Sequence, residues 1–199
     1  GIFYSELDNS DFGSVTANDN GALSVGAYGW HGNNALSLLR KAYSISNAEI
    51  SRAALSYSNT GRKVIAAITN GSDWSSYVPD SYTCSCIKAM LLTNAGIEAQ
   101  NQTSTENAEE YIAICQENNI NDKRAIVYCA DILNQFGTGS FDKNVYGNGH
   151  NGVLYGVSNA TLDSVYSSKR AWSDSNYSYE TRRKWTYDYL KGLSDTDFS

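Results

Sequence analysis

Apolar residues recur along most of this chain at helical spacing rather than in alternation. Ala35, Leu38, Leu39 and Ala42 fall at i, i+3, i+4 and i+7, which predicts one amphipathic helix. Ser46 and Glu49 match a capping box ahead of Ile50, Ala53, Ala54 and Tyr57. Val64, Ile65 and Ile68 predict a short third helix that stops near Asn70-Gly71. After Pro79, Asp80 is suited to cap a helix carrying Cys84, Ile87 and Leu91. Thr103 and Glu106 match a second capping box, ahead of Ala108, Tyr111, Ile112 and Cys115. Asn121 is the expected cap of the strongest helix, with Ile126, Cys129, Ala130, Leu133 and Phe136 on one face. A Gly-rich run over 137–156 leads to two further helices near 160–170 and 179–191. The one β signal is a hairpin between Ser14 and Val25, turning at Asn20-Gly21, where both residues tolerate positive φ. The expected fold class is therefore mainly α (α+β), with a small β-hairpin and loop region, and 1–199 as a single domain.

Composition narrows the function classes. The net charge is −6, which argues against nucleic acid, whose binders carry a basic face to displace phosphate counterions. No apolar run reaches transmembrane length, so no membrane span is expected. The start of the chain has no basic segment followed by an apolar one, so no uncleaved signal peptide is expected. Fifteen tyrosines and four tryptophans supply flat rings with polar tips, which suit sugar faces, although Tyr also serves as a core residue in place of the scarce Phe. Cys84-Ser85-Cys86 is not a C-x-x-C pair, and only His31 and His150 are available to complete a ligand set. No metal and no cofactor are expected. Cys115 and Cys129 fall on apolar helix faces, where a free thiol acts as a small hydrophobe.

The chemistry concentrates near the N-terminus. Glu6 is followed by the apolar Leu7 and Phe12, while Asp19 lies in the polar turn Asn18-Asp19-Asn20-Gly21. Desolvation favours a protonated carboxyl, and a polar turn favours an ionised one. Two carboxyls set apart in this way are what glycoside hydrolysis uses, one as acid and one to activate water. Asp8 and Asp11 are the nearest substitutes, each also suited to shaping a turn.

The run from Glu6 through Asp19-Asn20-Gly21-Ala22-Leu23-Ser24-Val25-Gly26 to Tyr28-Gly29-Trp30-His31-Gly32-Asn33 resembles the catalytic segment of lysozyme-like, phage-type peptidoglycan glycosidases. The interval from Glu6 to Asp19 is similar to that in goose-type lysozymes. Gly29, where many such runs carry Gln, is closer to the pattern of chitosanases in the same superfamily. The segment Arg124–Gly137 resembles the helix that closes the far side of the cleft in these enzymes. The resemblance implies two helical lobes around a cleft. It also implies a muramidase that cuts the β-1,4 linkage of peptidoglycan glycan strands, with Glu6 as general acid and Asp19 as base or electrostatic partner. Ser24 would orient the water; Tyr28, Trp30, His31, Asn134 and Gln135 would contact sugar. An inverting reaction places the carboxyls about 6.5–9.5 Å apart, with water between them. The implied setting is extracellular or at the cell wall, secreted or phage-delivered, alone or within a larger multidomain lysin. Lytic transglycosylase and chitosanase activities are the alternatives within the class. An inactive sugar-binding or structural module of a phage tail or cell-wall machine is the alternative outside it.

Overall fold

The computed structural model describes residues 11–141, 152–173 and 177–198. The chain is mainly helical, with eight α-helices and a small three-stranded antiparallel sheet among these residues. It divides into two compact units that meet in sequence at Thr105 and Glu106. No helix among the described residues is long and apolar enough to cross a membrane.

The N-terminal unit opens with the expected hairpin, β1 (Val15–Asp19) and β2 (Ala22–Val25), to which β3 (Trp30–His31) adds a third strand. The order is β1-β2-β3, so β2 is central, and all four of its residues are buried. The helices are α1 (Asn33–Ile45), α2 (Asn47–Leu55), α3 (Ser58–Thr69) and α4 (Ser81–Leu91). The stripe Ala35, Leu38, Leu39 and Ala42 is buried on α1 and joins Ile50, Val64, Ile68, Ile87 and Leu91 in one core. Asp80 caps α4 as its position suggests, its Oδ1 accepting from the Thr83 N–H at 2.7 Å.

The capping box at Ser46 and Glu49 is only half formed. Ser46 Oγ accepts from the Glu49 N–H at 3.3 Å, but the Glu49 carboxylate turns away and accepts from the Ala95 N–H at 3.1 Å. Ala95 lies in the first turn of α5 (Asn94–Glu117), so a side chain of α2 satisfies an orphan donor of α5. That is one reason why α5 starts at Asn94; Thr93 supplies another, its hydroxyl accepting from the Gly96 N–H at 2.9 Å. The expected start at Thr103 is therefore wrong. Thr103 lies inside a 24-residue helix, where the N–H groups of Thr105 and Glu106 that its hydroxyl would cap already serve the helical ladder, so there is no cap to make.

In the C-terminal unit α6 (Lys123–Phe136) packs with α7 (Leu162–Ser173) and α8 (Tyr177–Gly192). The cap of α6 is Asp122, not Asn121. Its Oδ1 accepts from the N–H groups of Arg124 at 2.9 Å and Ala125 at 3.3 Å, while Oδ2 takes the Leu162 N–H of α7 at 3.3 Å. A single carboxylate thus caps two helices, which a shorter-range partner at Asn121 would not do. Cys129, Ala130 and Leu133 are buried as expected, with Ile126 and Phe136 at the edge of the core. Tyr111 and Ile114 pack against this core, whereas Ile112 is exposed.

All four cysteines are free thiols, with Cys86, Cys115 and Cys129 buried. Burial pushes the Cys86 thiol up to about 11, from an ordinary value of 9.0. The neutral form is the one the core holds, so this contribution to stability is complete below pH 9 and is lost as the pH rises towards 11. Thermal midpoints should fall over that interval, and Cys86→Ala should flatten the fall. An unchanged slope in differential scanning calorimetry would show that Cys86 does not titrate there.

Candidate functional site

The hairpin turn is built by Asn20 and Gly21, at φ 52° and φ 100°. Two consecutive positive φ values match the right-handed twist of the flanking strands. The Asn18 side-chain oxygen accepts from the Gly21 N–H at 2.9 Å and closes the turn from outside. Asp19 is the last residue of β1 and pairs with Ala22, while Ser24 pairs with Thr16 on one side and with His31 on the other. This register sets three of the expected residues side by side.

Ser24 Oγ donates to Asp19 Oδ2 at 2.7 Å, and the Asn20 amide donates to Asp19 Oδ1 at 3.2 Å. His31 Nε2 lies 2.8 Å from the Asp19 carbonyl oxygen. A carbonyl only accepts, so His31 donates from Nε2. Asp19 is thus fixed three times, at each carboxylate oxygen and at its main chain. Ser24 is buried at 6% exposure, Asp19 is half-buried and His31 is exposed. A carboxylate offers about four lone-pair positions, and these two bonds use one on each oxygen. The remainder can hold a water.

Ser24 therefore acts on the Asp19 carboxylate itself. Trp30 is 6% exposed within the core, edge-on to half-buried Tyr28 with ring centroids 5.2 Å apart. Its ring is core material rather than an open sugar platform. Asp11 shapes a turn, its Oδ1 accepting from the Gly13 N–H at 3.0 Å. Glu6 and Asp8 lie outside the described residues, as does His150.

Gln100 is a contributor that sequence reasoning missed. It is fully buried on α5, and its Oε1 accepts from the Ala27 N–H at 3.1 Å. Its amide donates to the carbonyls of Phe12 at 3.1 Å and of Leu91 and Gly96 at 3.3 Å. One side chain so ties both flanks of the hairpin to the helix. Gly26 makes room for it: at φ 77°, a Cβ there would lie 2.5 Å from Gln100 Oε1 and 2.9 Å from the Trp30 ring. Nothing local in the sequence marks Gln100 as the residue that approaches Gly26.

Asn134 and Gln135 occupy the last turn of α6 in the C-terminal unit, both half-buried. Gln135 Oε1 accepts from Arg183 Nη2, and Arg183 is 1% exposed. Gln135 therefore satisfies a buried cation. The same guanidinium pairs with Asp131 at 2.7 Å, and Arg182 meets the other Asp131 oxygen at 2.6 Å.

Among the described residues, no group of three or more His, Cys, Asp or Glu side chains is arranged to hold a metal ion. Comparison with protein-family models, with curated proteins and with solved structures finds no match to this chain.

Proposed function

We propose that this chain is a lysozyme-like glycoside hydrolase that cuts the β-1,4 linkage of peptidoglycan glycan strands, by general acid and base catalysis with inversion. The observation that carries the reading is the Asp19 carboxylate, held by Ser24 and Asn20 on a hairpin turn that His31 clamps through the main chain. A base that activates water must be positioned, yet must keep lone pairs for that water. The two hydrogen bonds to Asp19 orient its plane, and the remaining positions accept a water proton. Glu6 is the partner acid in this reading and protonates the leaving glycosidic oxygen. Water then attacks the anomeric carbon from the opposite face, its proton passes to Asp19, and the configuration inverts. The second carboxylate favours water as the acceptor over the internal cyclisation of a lytic transglycosylase.

The test is digestion of purified peptidoglycan, with proton NMR of the first product anomer. New reducing ends released as the α-anomer are expected, and Glu6→Gln should lower turnover by at least roughly 10²-fold. Anhydro-ends would identify a transglycosylase, and a β-anomer a covalent intermediate with retention. Cleavage of chitosan alone would move the substrate to that polymer. Retention on the wall without cleavage, under conditions where the chain is folded, would leave a binding module.

A further inference from the structure

A pocket of about 390 Å3 opens in the N-terminal unit between α3 and the segment that leads into α4. Thr60, Lys63, Val64 and Ala67 form its helical wall, spaced i, i+3, i+4 and i+7 so that one face of α3 lines it. The opposite wall carries Asp73, Trp74, Tyr77 and Asp80. The volume falls within the range of small-molecule sites, which combine apolar walls with a few converging polar groups.

The facing segment is held to the start of α1 and to the sheet rather than left loose. Asn33 Oδ1 accepts from the Trp74 N–H at 2.8 Å, and the Leu23 N–H donates to the Tyr77 carbonyl at 2.8 Å. The Trp74 and Tyr77 rings stack with centroids 4.9 Å apart, Trp74 buried and Tyr77 half-buried, and both line the pocket. Asp73 Oδ1 accepts from the Ser75 N–H and from the Asn33 amide, both at 2.9 Å. These bonds, that of the Ser75 N–H foremost, hold its carboxyl below the usual range, and no cation is among the groups that do so. Asp80 is also held down, first by the Thr83 N–H and hydroxyl and least by the charge of Lys63. The pocket thus carries two carboxylates and one ammonium.

We propose that this pocket binds a protonated primary amine on a short apolar or sugar body, with Asp73 as the counter-ion. The aliphatic floor of Val64 and Ala67 takes the body of the ligand. The Tyr77 ring offers its face to the cation, and the carboxylate takes the ammonium hydrogens. An amino sugar and a lysine-type side chain both carry this chemistry. The site goes beyond the glycosidase reading and does not depend on turnover.

The test is titration of the ¹⁵N-labelled chain, following the amides of Asp73, Tyr77 and Thr83. The probes are chitobiose with free amines and Nα-acetyl-lysine methylamide, each compared with its N-acetylated counterpart. Saturable, salt-sensitive binding of one free amine is expected, and the probe that binds identifies the source. Asp73→Asn keeps an acceptor for Asn33 and Ser75, and should weaken binding by about tenfold or more, as for the loss of a charge-assisted hydrogen bond. Lys63→Met removes the competing ammonium and should tighten binding severalfold, which a fold defect would not do. The proposal is overturned if neither amine binds at millimolar concentration, or if the acetylated probes bind equally well. Unchanged affinity in either variant would overturn it too.

Discussion

Asp19→Asn should reduce peptidoglycan turnover by at least roughly 10²-fold while leaving the fold intact. Both neighbours of the Asp19 side chain donate to it, Ser24 from a hydroxyl and Asn20 from an amide. An Asn side chain can keep both contacts, its oxygen accepting from Asn20 and its amide donating to the Ser24 hydroxyl, which serves as donor or acceptor, but the group that accepts the proton of water is gone. Because Asp19 is only half-buried, little stability is at stake. Ser24→Ala separates positioning from chemistry. The carboxylate remains but loses its 2.7 Å bond, so kcat should fall by about tenfold with KM nearly unchanged. Steady-state kinetics on soluble glycan strands, with circular dichroism melts of each variant, measure both effects. Normal turnover in Asp19→Asn would remove this carboxylate from the reaction.

The largest loss of stability is expected at Asp131. Its side chain is 3% exposed and pairs with Arg182 at 2.6 Å and with the buried Arg183 at 2.7 Å. Thr186 Oγ1 adds a longer contact at 3.4 Å. Burial lowers the Arg183 pKa, and the Asp131 charge works against that shift. Arg183 Nε is buried with no hydrogen-bond partner, so the carboxylate and Gln135 carry the burden of this cation. Asp131→Asn keeps the shape and removes the counter-charge, and should cost about 3–5 kcal/mol, as for the removal of one partner of a buried pair. For a chain of this size that lowers the melting temperature by roughly 6–20 °C. Asp131→Leu combined with Arg183→Met should lose much less than the sum of the single changes, because the fully buried cation leaves with its counter-charge and Arg182, at 28% exposure, keeps access to water. Additive losses in that cycle, read from denaturant melts, would show that the pair contributes no coupling.

The elements that depend on near neighbours were legible along the chain. The stripe of α1 needs only 3.6-residue periodicity, and the cap at Asp80 reaches three residues. The turn at Asn20-Gly21 needs only two residues that tolerate positive φ. The turn accounts for the pairing of Asp19 with Ala22, but a bulge between Thr16 and Asp19, which nothing local marks, shifts the register by one residue and sets Ser24 opposite Thr16. The two-residue β3 offered no alternation to detect; it pairs because β2 is there to pair with.

What the tertiary structure alone decided is which partner each polar group takes. Glu49 had a local partner within reach and serves α5 instead, 46 residues away. Thr103 and Glu106 spell a capping box, yet no Gly or Pro interrupts the chain from Ile97 to Glu117, and the helix runs through them. Gln100, Asp131 and Arg183 are ordinary polar residues on helices until packing removes them from water, whereupon each must find a partner or destabilise the core. The same holds for Asp73, whose place in the pocket wall depends on Asn33 tying its segment to the start of α1. Periodicity, caps and turns are properties of a few adjacent residues and survive in the sequence. The pairing of buried polar groups is a property of distant elements brought together, and exists only once they are.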